Sequence, residues 1–333
     1  MIKQKVENTC IASHSRVCSV KVRNFCKEPK PCNGGFDLGL LVQSSDRSLE
    51  KEFDMEKNAI AEMIGRLNVK LDQVHVGLLL YSQRVKLYNS LKNGQQRTKN
   101  VLIEKIQDLP FVSYPLSPLY DGLEKSRDEL FNQNRSYIVS KVAVLFNDAQ
   151  SNPVNTGLES LANSLKNDLN VDIVVVGIGN DVNSNELKKI ASDPSYVIKA
   201  ASYEDLFNNL DIITQTACTT NARVNLEKEE YIKISKNEVR YYKTNLKEVT
   251  SMFIQIELIE TKGKVNLFYS FDEKNPLSED AQTALSKRAV FDDASKSITN
   301  YYLIPNMGMD EIFFTLQSLD DSEVLLKIYP EDL

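Results

Sequence analysis

Basic runs are missing from this sequence: no stretch of Lys or Arg exceeds two residues, and across 333 residues the formal charge is -6. A polyanion partner needs a basic patch to neutralise its phosphates, so nucleic acid is not expected as a ligand. Long apolar runs are missing too, none approaching the ~20 residues that a membrane-spanning helix requires. The first residues, MIKQKVENTC, lack the apolar core of a signal peptide. That leaves a cytosolic chain or one whose leader has been removed. Only two histidines occur, His14 and His75, and the patterns HExxH, GxSxG and GxxxxGK(S/T) are all absent. Without a zinc-binding helix, a nucleophile elbow or a phosphate cradle, the chain is not expected to be an enzyme.

What is present is ordinary globular material, with 42% hydrophobic and 26% charged residues. The length suggests two domains. Cysteine placement bears on the compartment. Cys10, Cys18, Cys26 and Cys32 crowd into the first tenth of the chain, and Cys218 stands alone. All five lie in mostly polar segments outside the strands and helix cores, which favours an oxidising compartment over a reducing one. The cluster has no CxxC spacing, so a zinc knuckle is not expected. The odd count leaves one thiol over, or one paired outside this chain.

The stretch from Phe36 to Ser48, FDLGLLVQSSDRS, is an apolar run without helical spacing that empties into small polar residues. It reads as a buried strand of a parallel sheet, and the loop at its carboxyl end is where such sheets hold ligands. Amphipathic helices near 53–67, 101–106, 119–131, 157–169, 184–191 and 203–216 alternate with the apolar strands HVGLLLYS, KVAVLFN, DIVVVGIG and YVIKA, with RVKLY as a short antiparallel partner. Ser202 followed by Asp205 resembles a capping box for the last helix. The fold class is therefore α/β, a doubly wound, mainly parallel sheet flanked by helices. After Cys218 the helical period disappears. TTNARVNLEKEE reads as a polar linker, and seven alternating strands from Tyr231 onward predict a small all-β sandwich. The expected division is a cysteine-rich segment 1–32, an α/β domain 33–218, a linker 219–229 and a sandwich 230–333 able to fold by itself.

Residues 32–218 resemble the von Willebrand factor A-type (VWA) domain, in which the first strand ends in D-x-S-x-S, a loop Thr follows, and an Asp in a T-D-G turn completes a metal-ion-dependent adhesion site. Asp37 to Val42 match the family's first strand, placing Gln43 at the metal Asp, Ser45 at the first Ser and Arg47 at the second Ser. Ser117 falls at the Thr position, with Gly122-Leu123 where the family usually has Ala-Leu, and Asn147-Asp148-Ala149 stands for T-D-G. The resemblance implies a disulfide between Cys32 and Cys218, an extracellular, secreted setting, and a protein ligand of the matrix or the cell surface. The segment GKVNLFYSFDEKNP is similar to part of the C-terminal sandwich modules of secreted proteins. An intracellular scaffold is the alternative, since A-type domains also occur in cytosolic assemblies.

The implied site has exchanged an Asp for a neutral amide and a Ser for a guanidinium. A cation at ~5 Å from a divalent ion costs several kcal/mol even at an effective dielectric of ~20, so no metal cofactor is expected. Were Mg²⁺ bound, Ser45, Ser117 and Asp148 would hold it; a shifted register would bring in Asp46 and Ser48 instead. With no ion, Arg47 is expected to satisfy Asp148 through two parallel hydrogen bonds. GIGNDV, at Gly177 to Val182, reads as a plain turn, and His75 as a packed histidine. Asn134-Arg135-Ser136 is the one glycosylation sequon.

Overall fold

A strand buried at all eight positions needs helices on both faces of its sheet, and β1 (Phe36–Gln43) is such a strand. The computed structural model describes residues 33–70, 72–92, 98–132, 135, 137–148, 156–277, 286–292 and 297–332. The four N-terminal cysteines, His14 and the Asn and Ser of the sequon lie outside them.

After β1 come α1 (Glu50–Arg66), β2 (His75–Tyr81), β3 (Lys86–Asn89), α2 (Lys99–Gln107) and α3 (Leu119–Lys125), which continues as a wider helical turn to Leu130. Then follow β4 (Ser140–Asn147), α4 (Leu158–Asn167), β5 (Val171–Ile178), α5 (Ser184–Ile190), β6 (Val197–Ala200) and α6 (Asp205–Cys218). The sheet runs β3-β2-β1-β4-β5-β6, parallel throughout except for β3. Strand order reverses direction between β1 and β4, and in sheets of this kind the carboxyl edge at that reversal is where ligands are held.

Alternation along the strands divides the core. Leu38, Leu40 and Val42 of β1 pack with α1, α2 and α6, whereas Leu41 packs with α3, α4 and α5. Gly39 and Gly77 are paired across β1 and β2. A Cβ at either would collide with Leu130 or Phe131, so the absent side chains let the end of the α3 turn seat directly on the sheet. Ser202 Oγ accepts from Asp205 N at 3.3 Å, as the capping motif predicts, and α6 begins two residues later than its apolar pattern suggests.

The second part contains β7 (Ala222–Arg223), β8 (Glu230–Ile234), β9 (Val239–Asn245), β10 (Phe253–Lys262), β11 (Val265–Ser270), β12 (Ser286–Asp292), β13 (Ser297–Pro305), β14 (Glu311–Ser318) and β15 (Ser322–Glu331). A five-stranded sheet, β12-β13-β10-β15-β8, faces a four-stranded one, β11-β14-β9-β7. One core joins them, with Ile256, Leu258, Leu326 and Ile328 from the first sheet and Tyr242, Phe314 and Leu316 from the second. The seven expected strands are present; β7 and β12 are additional, β7 too short and β12 too charged to show an alternating pattern.

The polar stretch 219–229 is not a free linker. Thr220, Asn221, Ala222 and Val224 are buried, and β7 pairs in parallel with β9. Residues 31–333 form one compact unit, joined through a buried polar hub. Glu238 accepts from Gly35 N at 2.5 Å, Arg240 Nε at 2.7 Å, Ser235 N at 2.7 Å and Gln73 Nε2 at 3.2 Å. Beside it Asp37 pairs with Arg135 at 2.6 Å, and the Tyr137 ring lies between the Arg135 and Arg240 guanidiniums at 5.6 and 5.5 Å. Ile138 packs on the sandwich core, and its N–H bonds Tyr231 O. The sandwich core thus includes a residue from before β4, and a fragment starting at Arg223 would expose both the ion pair and this contact.

Removing one partner of a buried ion pair leaves the other uncompensated, a loss of about 3–5 kcal/mol. Glu238→Ala should therefore lower the unfolding free energy by about 3 kcal/mol or more in urea titrations. The parent should unfold in a single transition. Two separate transitions, only one of them moved by the substitution, would contradict a coupled joint.

Candidate functional site

The carboxyl edge at β1 and β4 gathers four of the five residues singled out from sequence. Gln43 ends β1, Ser45 lies two residues beyond, Ser117 precedes α3, and Asp148 follows β4. Gln43 Nε2 donates to Ser117 Oγ at 3.0 Å, and Gln43 Oε1 accepts from Asp148 N at 3.1 Å. Ser45 Oγ donates to Asp148 Oδ2 at 2.7 Å. All four are buried. One amide therefore spans three loops, its donor end on one and its acceptor end on another.

Arg47 does not join them. Its backbone N–H donates to Ser45 Oγ at 3.1 Å, which turns the side chain outward. The guanidinium, 57% exposed, lies 3.7 Å from Asp181 and 4.0 Å from Asp46. The expected double hydrogen bond to Asp148 is corrected by this geometry: the carboxylate is held by hydroxyls, Ser45 on one side and Tyr203 at 2.8 Å on the other. Of the shifted-register residues, Ser48 is buried and bonds the Tyr203 hydroxyl, while Asp46 stays on the rim.

Three contributors were not anticipated. Tyr81, at the end of β2, donates to Phe146 O at 2.6 Å beneath the Gln43 amide. Gly122 makes room for its ring, since a Cβ there would press on Tyr81 at 3.1 Å. Tyr203 arrives from the turn before α6. Glu56 of α1 is 1% exposed, and its Oε1 lacks a hydrogen-bond partner, as does Asp148 Oδ1. Glu56 had a legible signal: it sits three residues after Phe53 and four before Ile60, a carboxylate on an apolar stripe. Burial, and then the Asp148 charge, pushes the Glu56 carboxyl well above its ordinary range. Burial also raises Asp148, while the Ser45 and Tyr203 hydroxyls and, last, the Arg47 charge pull it back. Tyr203 is pushed strongly upward by burial and by both carboxylates, so it remains a donor.

The sequence pattern of the von Willebrand factor type A domain matches residues 37–211, more than half of the chain. The chain belongs to the von Willebrand factor type A domain family. It is 28% identical over 204 residues to the mouse collagen alpha-4(VI) chain, covering 60% of this chain and 8% of that one. It is 29% identical over 199 residues to chicken matrilin-1, covering 56% of this chain and 39% of matrilin-1. Among solved structures it is similar to proximal thread matrix protein 1 from the mussel byssus, with a TM-score of 0.52 and 25% identity over 56% of this chain and 47% of that chain. The chain thus spans less than half the length of each of these proteins.

The A-type site as the family resemblance describes it would hold a divalent ion, and the donor set here does not fit one. Hard cations take six or more oxygen lone pairs. The Gln43 nitrogen directs hydrogens at Ser117 Oγ, and Ser45 spends its proton on Asp148. Glu56 and Asp148 each keep one oxygen without a hydrogen-bond partner, and burial shifts both groups upward.

Glu56 has a folded pKa above its unfolded value, so between the two the folded protein binds more protons and stability falls as pH rises. Glu56→Gln should remove that part of the slope. Thermal melts should show parent and variant diverging in the variant's favour as pH rises above the ordinary carboxylate range; a pH-independent difference would refute the assignment. Arg47→Ala, at an exposed position, should shift stability by less than about 0.5 kcal/mol.

Proposed function

We propose that this chain is an extracellular adhesion or matrix protein that binds a protein ligand through the carboxyl-edge face of its VWA domain, without a metal ion. The observation that carries the proposal is the Gln43 amide, which ties the loops of β1, β4 and α3 together by hydrogen bonds where the family resemblance would have an ion do so. A face held in this way is preorganised before a ligand arrives, which reduces the ordering cost of binding. On its rim, Asp46, Arg47 and Asp181 offer exposed charges of both signs, and Leu49 is 58% exposed beside them in sequence. These are contacts suited to a protein surface. The names of the relatives, a collagen chain, a matrilin and a thread matrix protein, support the matrix setting.

Secretion and the absence of catalysis belong to the same proposal. We take Cys218 to be disulfide-bonded to Cys32, as the family resemblance implies. Non-reducing peptide mapping should recover a peptide containing Cys32 and Cys218. Free thiols at both would favour the intracellular scaffold reading.

The binding proposal is tested by surface plasmon resonance on immobilised extracellular-matrix extract. Binding should be unchanged by EDTA and weakened by Asp46→Lys or Asp181→Lys, substitutions that reverse rim charge without touching the buried amide. Loss of binding in EDTA, restored by Mg²⁺, would overturn the metal-free reading.

A further inference from the structure

The far end of β9, opposite to its contact with Gly34 and Gly35, carries a second surface. Residues 246–252, between β9 and β10, lie against residues 306–310, between β13 and β14. Asn306 N donates to Met252 O at 2.9 Å, and Leu246 N donates to Asp310 O at 2.8 Å. The Asn306 amide also donates to Ser251 O at 2.9 Å and Val249 O at 3.3 Å. The turn is set by Gly308, whose φ of +67° suits glycine and whose N–H bonds Asn306 Oδ1. Asp332, from the end of β15, fixes the first loop by accepting from Met252 N at 3.0 Å.

On this tied pair of loops stand Met252, Met307 and Met309, 69%, 67% and 41% exposed. They are three of the six methionines of the chain. The other large exposed hydrophobics, such as Ile212 and Leu319, are scattered singly and need no explanation. Thioether side chains are flexible and polarisable and adapt to apolar partners of different shape. The rim is acidic: Glu248, Asp310 and Asp332 are exposed and Glu331 is half-buried. The cations at the rim are Lys247, 3.9 Å from Asp310, and Lys243, 3.9 Å from Glu311.

We propose that this methionine-bearing, acid-rimmed end of the sandwich docks a basic amphipathic segment of a partner protein. The apolar side of such a segment covers the methionines, and its Lys or Arg side chains meet Glu248, Asp310 and Asp332. The same acidic rim disfavours the other occupants. A symmetric contact with a second copy would bring like charges together, and anionic lipid would be repelled.

The test uses the whole chain and a labelled synthetic peptide of about 18 residues, five helical turns of Leu and Lys at amphipathic spacing, with a Leu/Glu peptide of the same pattern as control. Fluorescence anisotropy should show saturable binding of the Leu/Lys peptide, weakened by salt, and none of the control. The variant Met252→Gln/Met307→Gln/Met309→Gln, with an unchanged melting temperature, should bind at least about ten-fold more weakly. Glu248→Gln/Asp310→Asn should bind several-fold more weakly. Equal affinity in the triple variant would overturn the proposal. So would self-association abolished by that variant in sedimentation, or its loss of co-flotation with zwitterionic vesicles, since these assign the surface to a second copy or to lipid.

Discussion

The amide of Gln43 is the interaction on which the carboxyl edge of the parallel sheet depends. It sits at the strand-order reversal between β1 and β4, receives the Asp148 N–H and donates to Ser117 Oγ. A carboxylate at this position would carry acceptors only and would repel the Asp148 charge. The neutral amide supplies both a donor and an acceptor. Tyr81 beneath it and Tyr203 beside Asp148 complete the network with hydroxyls whose protons are retained in that environment. Sidedness follows: the Gln43 amide and the Ser45 and Tyr203 hydroxyls bond inward, and the charges of Asp46, Arg47 and Asp181 are left outward.

At the other edge of the sheet the constraint is a buried charge. Glu238 collects donors from the segment before β1, the loop before β2, and the sandwich itself. Burying a carboxylate is costly unless its lone pairs are filled, and filling them here requires both parts of the chain at once. The first half of the polar stretch 219–229 is drawn in as well, with Thr220, Asn221, Ala222 and Val224 buried. It closes the second contact between the α/β sheet and the sandwich, where Asn221 donates to Lys274 O at 2.8 Å and Lys274 pairs with Asp193 at 2.6 Å. The sandwich is therefore held to the VWA region through two sets of contacts.

Much of this could be read from the residues. Strand ends are legible because an apolar run must stop where the sheet stops, and Gln43, Ser45, Ser117 and Asp148 lie together at that edge. Arg47 does not join them, because its orientation is set by a single backbone hydrogen bond to Ser45 that has no sequence signature. Tyr203 was hidden within a capping motif that explained the same segment. The joint was illegible for a different reason: Gly35 and Glu238 are 203 positions apart, and nothing periodic links a glycine to a distant carboxylate.

The claim that the carboxyl-edge site is held by hydrogen bonds rather than by an ion is tested most directly by isothermal titration of the whole chain with Mn²⁺, a cation that accepts oxygen ligands and reports its own binding site by relaxation. The account predicts no saturable binding at this site and no change in the environment of Tyr81 or Tyr203. One Mn²⁺ bound per chain, lost on Asp148→Asn, would contradict it.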